Sequence, residues 1–264
     1  MHINRSWSIY FSPTGTSKKI ADGIASTLQD GVFKSIELTR SHAEKKQFAE
    51  NDLAIFAVPV YAGRVAPLAA QRLAVLQGNN TPAVVVVLYG NREYEDALVE
   101  LRDIVQNAGF RPVAAAAFIG EHSFSNADMP IAERRPDSND LGKANDFAKG
   151  ILEKLASRQS SDTFEHLTVP GNVPYKEQMG PMPVTPEIDK ESCVRCEECV
   201  DICPNQAITM EDTPVMDVER CIFCCACIKV CPETAIHITA APVQGKRQWL
   251  HENYSARKEP EFYL

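Results

Sequence analysis

Two cysteine runs near the C-terminal end set the tightest limit on what this chain can become. Cys193, Cys196, Cys199 and Cys203 precede Pro204, and Cys221, Cys224, Cys227 and Cys231 precede Pro232. Both runs read C-x2-C-x2-C-x3-C-P, a spacing that ligates [4Fe–4S] clusters. The first three thiolates of a run wrap one face of an iron–sulfur cube, and the fourth, beyond the turn, serves the cluster of the other run. The expected ligand sets are therefore Cys193, Cys196 and Cys199 with Cys231, and Cys221, Cys224 and Cys227 with Cys203. Two clusters in one chain point to electron transfer.

Other uses of cysteine fit less well. Disulfides need an oxidising compartment, yet the first 170 residues hold no cysteine and no signal-peptide pattern opens the chain. Zinc ribbons space their CxxC motifs as two pairs, not as repeated tetrads ending in Cys-Pro. Cys225, the ninth cysteine, stands beside Cys224. The spacing selects Cys224 as ligand, because Cys225 leaves a single residue before Cys227. Cys225 then reads as a small packing residue or idle thiol, with a redox or spare-ligand role as the competing assignment.

The full 264 residues allow one complete domain and a small one. The expected division is a globular unit over residues 1–157, a proline-rich linker over 158–186, the two-cluster module over 187–240 and a tail over 241–264. The net charge of −8 is uneven: from Glu187 to Glu233 eleven acidic residues face only Lys190, Arg195, Arg220 and Lys229, a balance of −7. An acidic module steers toward redox partners with a basic docking surface and repels nucleic acid. The most apolar stretches, residues 83–88 and 113–119, are too short to span a bilayer. The expectation is a cytoplasmic protein with no membrane insertion.

The chain opens as strand, loop and helix. Trp7, Ile9 and Phe11 alternate with polar neighbours, and Ile20, Ile24 and Leu28 recur at helical spacing. Between them lies Ser12-Pro13-Thr14-Gly15-Thr16-Ser17, hydroxyls and one glycine at a helix N-terminus, which is a cradle for phosphate. It is neither G-x-G-x-x-G nor G-x-x-x-x-G-K-[ST], so a dinucleotide and an NTPase are both disfavoured. The competing assignment is a plain hydroxyl-rich helix cap. Further strands are expected over 32–38, 53–60, 83–89 and 113–119, with helices over 66–76, from Tyr94 to Val105, and over 141–155. Five strands alternating with helices predict an α/β fold with a doubly wound parallel sheet, whose ligand lies at the carboxyl ends of the strands.

Ser12-x-Thr14-Gly15-x-Ser17 after the first strand resembles the [ST]-x-T-G-x-[TS] phosphate loop of flavodoxins. The resemblance covers roughly residues 6–155 and implies a five-stranded sheet of order 2-1-3-4-5 with bound FMN. It implies phosphate contacts from Ser12, Thr14, Gly15, Thr16 and Ser17. It also places Pro59, Val60, Tyr61, Ala62 and Gly63 on one side of the flavin ring, and Tyr89, Gly90, Asn91 and Tyr94 on the other. Gly63 is the candidate to turn its carbonyl toward the flavin N5, and Tyr61, Tyr89 and Tyr94 are candidates to stack on the ring. Each has a plainer role open to it: Tyr89 and Tyr94 in the core, Gly63 in a turn, and His122 after strand five as an incidental histidine. The ring loops lack the tryptophan-and-tyrosine pattern usual in flavodoxins.

Prolines punctuate the linker at 170, 174, 181, 183 and 186, so it reads as a semi-rigid spacer along the sheet domain. Residues 207–209 and 235–238 follow the two Cys-Pro pairs as short strands of an internal repeat. The tail mixes Lys246, Arg247, Arg257 and Lys258 with Trp249, Tyr254, Phe262 and Tyr263, but Glu252, Glu259 and Glu261 oppose nucleic acid. It is expected to pack back across the domain boundary.

As a whole the chain resembles fused flavodoxin–ferredoxin proteins of anaerobic bacteria and archaea, which implies FMN wired to two [4Fe–4S] clusters. The first functional expectation is an electron carrier between partner redox enzymes. The alternative is an FMN-dependent reductase of a small acceptor, fed by its own ferredoxin part. A pocket left above the ring favours the reductase, and a ring face covered by the clusters or the tail favours the carrier. A third reading keeps the sheet domain only as a scaffold without FMN.

Overall fold

The apolar runs of the first 120 residues are buried on both sides, and that dictates a parallel sheet between two helical layers. The computed structural model describes residues 1–264 apart from residues 30, 41–43 and 181 and the side chain of 162; Pro181 of the expected linker thus lies outside the described residues. Strands β1 (Arg5–Tyr10), β2 (Lys34–Glu37), β3 (Asp52–Tyr61), β4 (Thr81–Tyr89) and β5 (Phe110–Ile119) run parallel in the order β2-β1-β3-β4-β5. Helices α1 (Thr16–Leu28), α2 (Pro67–Leu73), α3 (Ala97–Asn107) and α4 (Ser138–Ala156) connect or cover them. Successive β3 side chains alternate between the layers. Phe56 and Val58 join Leu73, Leu98 and Leu101 on one face. Ile55 and Ala57 join Ile20, Ile24, Phe147 and Ile151 on the other. Each fully buried Phe or Ile contributes about 1.5–3 kcal/mol relative to an exposed one.

Several boundaries differ from the sequence reading for local reasons. Val32 is outside β2 and exposed, because Gly31 turns left-handed (φ 84°) and the Val32 amide bonds back to Gln29. α2 ends early because Leu76–Gln77 pairs in parallel with Lys46–Gln47. α4 begins earlier than expected because Asp137 and Asp140 close a reciprocal capping box. Tyr94 precedes α3 and is not part of it.

The cysteine module is a small repeat. α5 (Glu198–Ile202) and α6 (Ala226–Val230) each carry the third cysteine of a run, Cys199 and Cys227, and hairpin β7 (Ile208–Met210) and β8 (Pro214–Met216) separates the runs. β9 (Ile236–His237) pairs antiparallel with Glu187–Ile188 at the module's entrance.

The linker lies along α3. Leu167 and Val169 are buried in the sheet domain's core, the Asn172 and Lys176 amides donate to Asp96, and the Tyr175 hydroxyl donates to Asp103 at 2.5 Å. The tail is more ordered than its sequence suggests. Helix α7 (Ala241–Asn253) leads to β6 (Glu261–Tyr263), which pairs antiparallel with β5, Phe262 opposite Ala116. Phe262 stacks on Phe147 with ring centroids 4.9 Å apart. The five parallel strands thereby gain an antiparallel neighbour at the β5 edge.

Candidate functional site

The eight motif cysteines divide between two cavities, four to each. One, a solvent-open hollow of about 350 Å³, is lined by Cys193, Cys196, Cys199 and Cys231. The other, about 380 Å³, is lined by Cys203, Cys221, Cys224 and Cys227. The fourth cysteine of each run faces the other run's cavity. The sulfurs surround a space rather than a point: among the described residues no three His, Cys, Asp or Glu side chains converge as a single metal ion requires. A thiol set around a cavity of this kind fits a cubane cluster.

The backbone repeats with the cysteines. Arg195, Glu197 and Gln206 have φ of 60°, 63° and 51°; Phe223, Cys225 and Thr234, at the equivalent places of the second run, have 53°, 60° and 50°. Left-handed residues alternating with right-handed ones turn neighbouring amides into a concavity for an anion, which a thiolate-bound cluster is. The Ala207 amide donates to Cys203 Sγ and the Ala235 amide to Cys231 Sγ, both at 3.2 Å. Cys225 occupies the position of Glu197, at the start of α6, with its side chain turned into an apolar cluster of Phe223, Ile238 and Val243. It also borders the second cavity, but the motif ligands complete that set without it.

The surroundings of the two cavities are unequal. Cys196 is exposed, and Glu197, Glu198 and Glu233, also exposed, stand at the rim of the outer cavity beside Arg195. The inner cavity lies against the sheet domain. Ile222 packs on the sheet's core, and Phe223 meets Phe124 edge to face at 5.6 Å. Burial, and after it Cys224, Cys225 and Cys221, push the Tyr61 hydroxyl at the end of β3 well above its ordinary pKa. Burial also pushes the Cys224 thiol up to about 12 and raises Cys221 and Cys227. Iron must therefore displace protons there when it binds.

The residues expected to cradle a phosphate form the turn that leads into α1. Gly15 is left-handed (φ 82°) at the N-cap of α1, and no side chain caps the helix. The Ser12 amide donates to Thr39 Oγ1 and the Lys18 amide to Ser12 Oγ, which close the loop, while the Ser12 carbonyl accepts from Gly15. The amides of Thr14, Thr16 and Ser17 find no acceptor among the described residues, and the buried Ser17 hydroxyl has no partner. Orphaned donors at a helix N-terminus fit a phosphate.

The ring loops part from expectation. Tyr61, Ala62, Gly63 and Arg64 form a tight two-residue turn, with Ala62 and Gly63 both left-handed (φ 52° and 83°) and Val60 opposite Val65. The Gly63 carbonyl accepts the Asp96 amide at 3.0 Å and Glu95 covers the glycine, so the carbonyl expected to turn toward a flavin nitrogen is engaged within the protein. Tyr94 is buried, and its hydroxyl bonds Glu261 and Tyr263 of the tail, which removes it as a stacking residue. Tyr89 is buried against Tyr94 at 5.4 Å. Asn91 is buried and donates to the Tyr254 and Ala256 carbonyls. Pro59 and Val60 are half-buried at the end of β3, and Gly90 lies against the His122 ring. His122 Nδ1 accepts the Phe124 amide at 3.0 Å, and the ring meets Phe124 at 4.9 Å. Burial, followed by Arg92, Lys246 and Lys229, lowers its pKa to about 4.

Sequence reasoning missed Arg72, Phe124 and Phe223 at this junction. Their partners lie on other elements far along the chain, and no local spacing signals them. The tail's charged and aromatic residues were visible, but their targets were not: Lys258 reaches the Arg92 carbonyl and Glu93, and Arg257 reaches Asp137.

Comparison with known proteins gives two family matches. A flavodoxin domain matches residues 8–128 and a 4Fe-4S dicluster domain matches residues 192–248. Among solved structures, a flavodoxin of Streptococcus pneumoniae is similar at 20% identity, covering 56% of this chain and 98% of its own, with TM-score 0.41. A Fusobacterium nucleatum flavodoxin bound to flavin mononucleotide is similar at 18% identity, covering 60% and 99%, with TM-score 0.40. An archaeal flavodoxin is similar at 14% identity, covering 58% and 99%, with TM-score 0.37. No curated protein matches the chain in sequence.

Proposed function

We propose, from the premise that this chain is a flavodoxin domain fused to a 4Fe-4S dicluster domain, that it carries electrons between the two domains and onward to a partner protein through its outer cysteine set. Electron transfer is the work of both domains, and their cofactors are FMN and two [4Fe–4S] clusters. FMN exchanges one or two electrons and each cluster one, so the fusion joins two-electron to one-electron chemistry.

One observation carries the route: the inner cavity abuts the sheet core through Ile222, whereas the outer cavity opens to solvent at Cys196. Ser12, Thr14, Thr16 and Ser17 would hold the phosphate. Glu197, Glu198 and Glu233 at the outer rim favour a partner with a basic surface. The β4 loop supports a carrier over a reductase, since the tail covers it through Asn91, Arg92, Glu93 and Tyr94. Nine unbridged cysteines suit a reducing cytoplasm.

The test begins with anaerobic purification and analysis, where about eight irons and one FMN per chain are expected. Stopped-flow delivery of electrons to a basic acceptor protein should then slow with rising salt. Cys196→Ser should abolish delivery while leaving the flavin spectrum unchanged. Delivery that persists in a variant lacking the outer cluster would refute the route.

A further inference from the structure

Three arginines are buried among the described residues, and they are not equivalent. Arg102 pairs with Asp103 at 2.6 Å, and Arg135 pairs with Asp140. Arg72, on α2, is 7% exposed and bonds carbonyl oxygens alone. Its Nη1 donates to the carbonyls of Leu38 (2.7 Å) and Thr39, and its Nη2 to the carbonyl of Pro204 at 2.6 Å. Its Nε is buried without a partner. Among the described residues no carboxylate faces it, and burial alone shifts its pKa, downward.

An unpaired guanidinium in a protein interior is costly, because carbonyl dipoles replace only part of the lost hydration. Native proteins keep buried charges opposite a counter-charge. Here the position of Nη2 identifies one. Pro204 follows Cys203, and both line the inner cavity. A [4Fe–4S] cluster with four thiolates is an anion, and each added electron makes it more negative. We infer that Arg72 is the counter-charge of the cluster held by Cys203, Cys221, Cys224 and Cys227, and that it raises the reduction potential of that cluster specifically.

Among the described residues the outer set has no such cation: Arg195 at its rim is exposed, where water screens it. Arg72 also couples the two domains physically. It spans from the loop after β2, which braces the phosphate loop through Thr39, to the second residue of the first run's Cys-Pro pair. It acts as a positioning residue and not a catalytic one. This inference rests on the proposed ligand sets; those fail through a deficit of iron, whereas the role of Arg72 fails with iron complete and potentials unmoved.

The experiment is an EPR-monitored redox titration of the complete iron- and flavin-loaded protein and its Arg72→Gln and Arg72→Lys variants. An aqueous paramagnetic relaxation agent identifies the outer cluster by its exposure. Arg72→Gln should weaken one-electron reduction of the inner cluster about tenfold, about 59 mV lower, with the outer cluster unmoved. Arg72→Lys keeps the charge and should stay near the parent value. An unmoved inner potential in Arg72→Gln overturns the inference, as does an equal fall in the lysine variant or a shift falling mainly on the flavin. Should Arg72→Gln not retain iron, the parent protein decides: the inner cluster must titrate above the outer, and the reverse order overturns the inference.

Discussion

The outer and inner cysteine sets share one plan and end in different settings. Both use three cysteines of one run and the last of the other, both carry left-handed residues at the same three places, and both direct an alanine amide at the fourth sulfur. Yet Cys196 meets solvent, while Cys224 and Cys227 are buried and Cys221 packs in a cluster that takes in Phe124 of the other domain. The motif therefore dictates what binds, and the contacts around it dictate what the bound group does. Identical ligation can serve two stations of different polarity and reach.

The largest test of this contrast exchanges one fourth ligand for the other. Cys231→Ser should cost the outer cluster, about half of the iron and labile sulfide, and leave the inner spectrum; Cys203→Ser should do the reverse. Loss of the same cluster in both variants would break the ligand exchange. A smaller effect is expected at Phe124, which wedges between His122 and Phe223. Phe124→Ala should cost about 2–3 kcal/mol and speed hydrogen exchange around Phe223 while sparing the outer run. Equal acceleration in both runs would show that the inner setting is not built by this contact.

His122 sharpens the contrast through pH. Its folded pKa is lowered from 6.5 to about 4, so between those values the unfolded chain binds the proton first. Its contribution is complete above pH 6.5 and falls as pH drops toward 4, by up to about 3 kcal/mol. Urea unfolding across that range should show the acid limb flattened in His122→Gln. The smallest effect is expected from Lys229→Gln, which removes a partly exposed ion pair with Glu121 across the domain boundary. It should change stability by less than about 1 kcal/mol, and less again at high salt.

The cysteine sets and the phosphate loop were legible because their chemistry is written in local spacing. Ligands a few residues apart share a turn, and a glycine among hydroxyls announces an anion at a helix start. The sheet was legible because burial on both faces leaves continuous apolar runs. The ring loops were not. Tyr94 reads the same whether it meets a flavin or the Glu261 carboxylate, and only the distant tail decides. β6 escaped for a similar reason: three residues carry no period, and their partner Ala115–Ala117 lies across the whole cysteine module. Arg72 carries no local signal either, since only the fold brings the Pro204 carbonyl, 132 positions away, to its guanidinium.

The pairing of β6 with β5 has an implication for biogenesis. During synthesis the alanine-rich border of the sheet waits, with bare amides and carbonyls, until the whole cysteine module and Glu261–Tyr263 have been made. A polypeptide stalled or clipped before Glu261 would offer that border to any neighbouring chain, so self-association should rise sharply in proteins cut between α7 and Glu261.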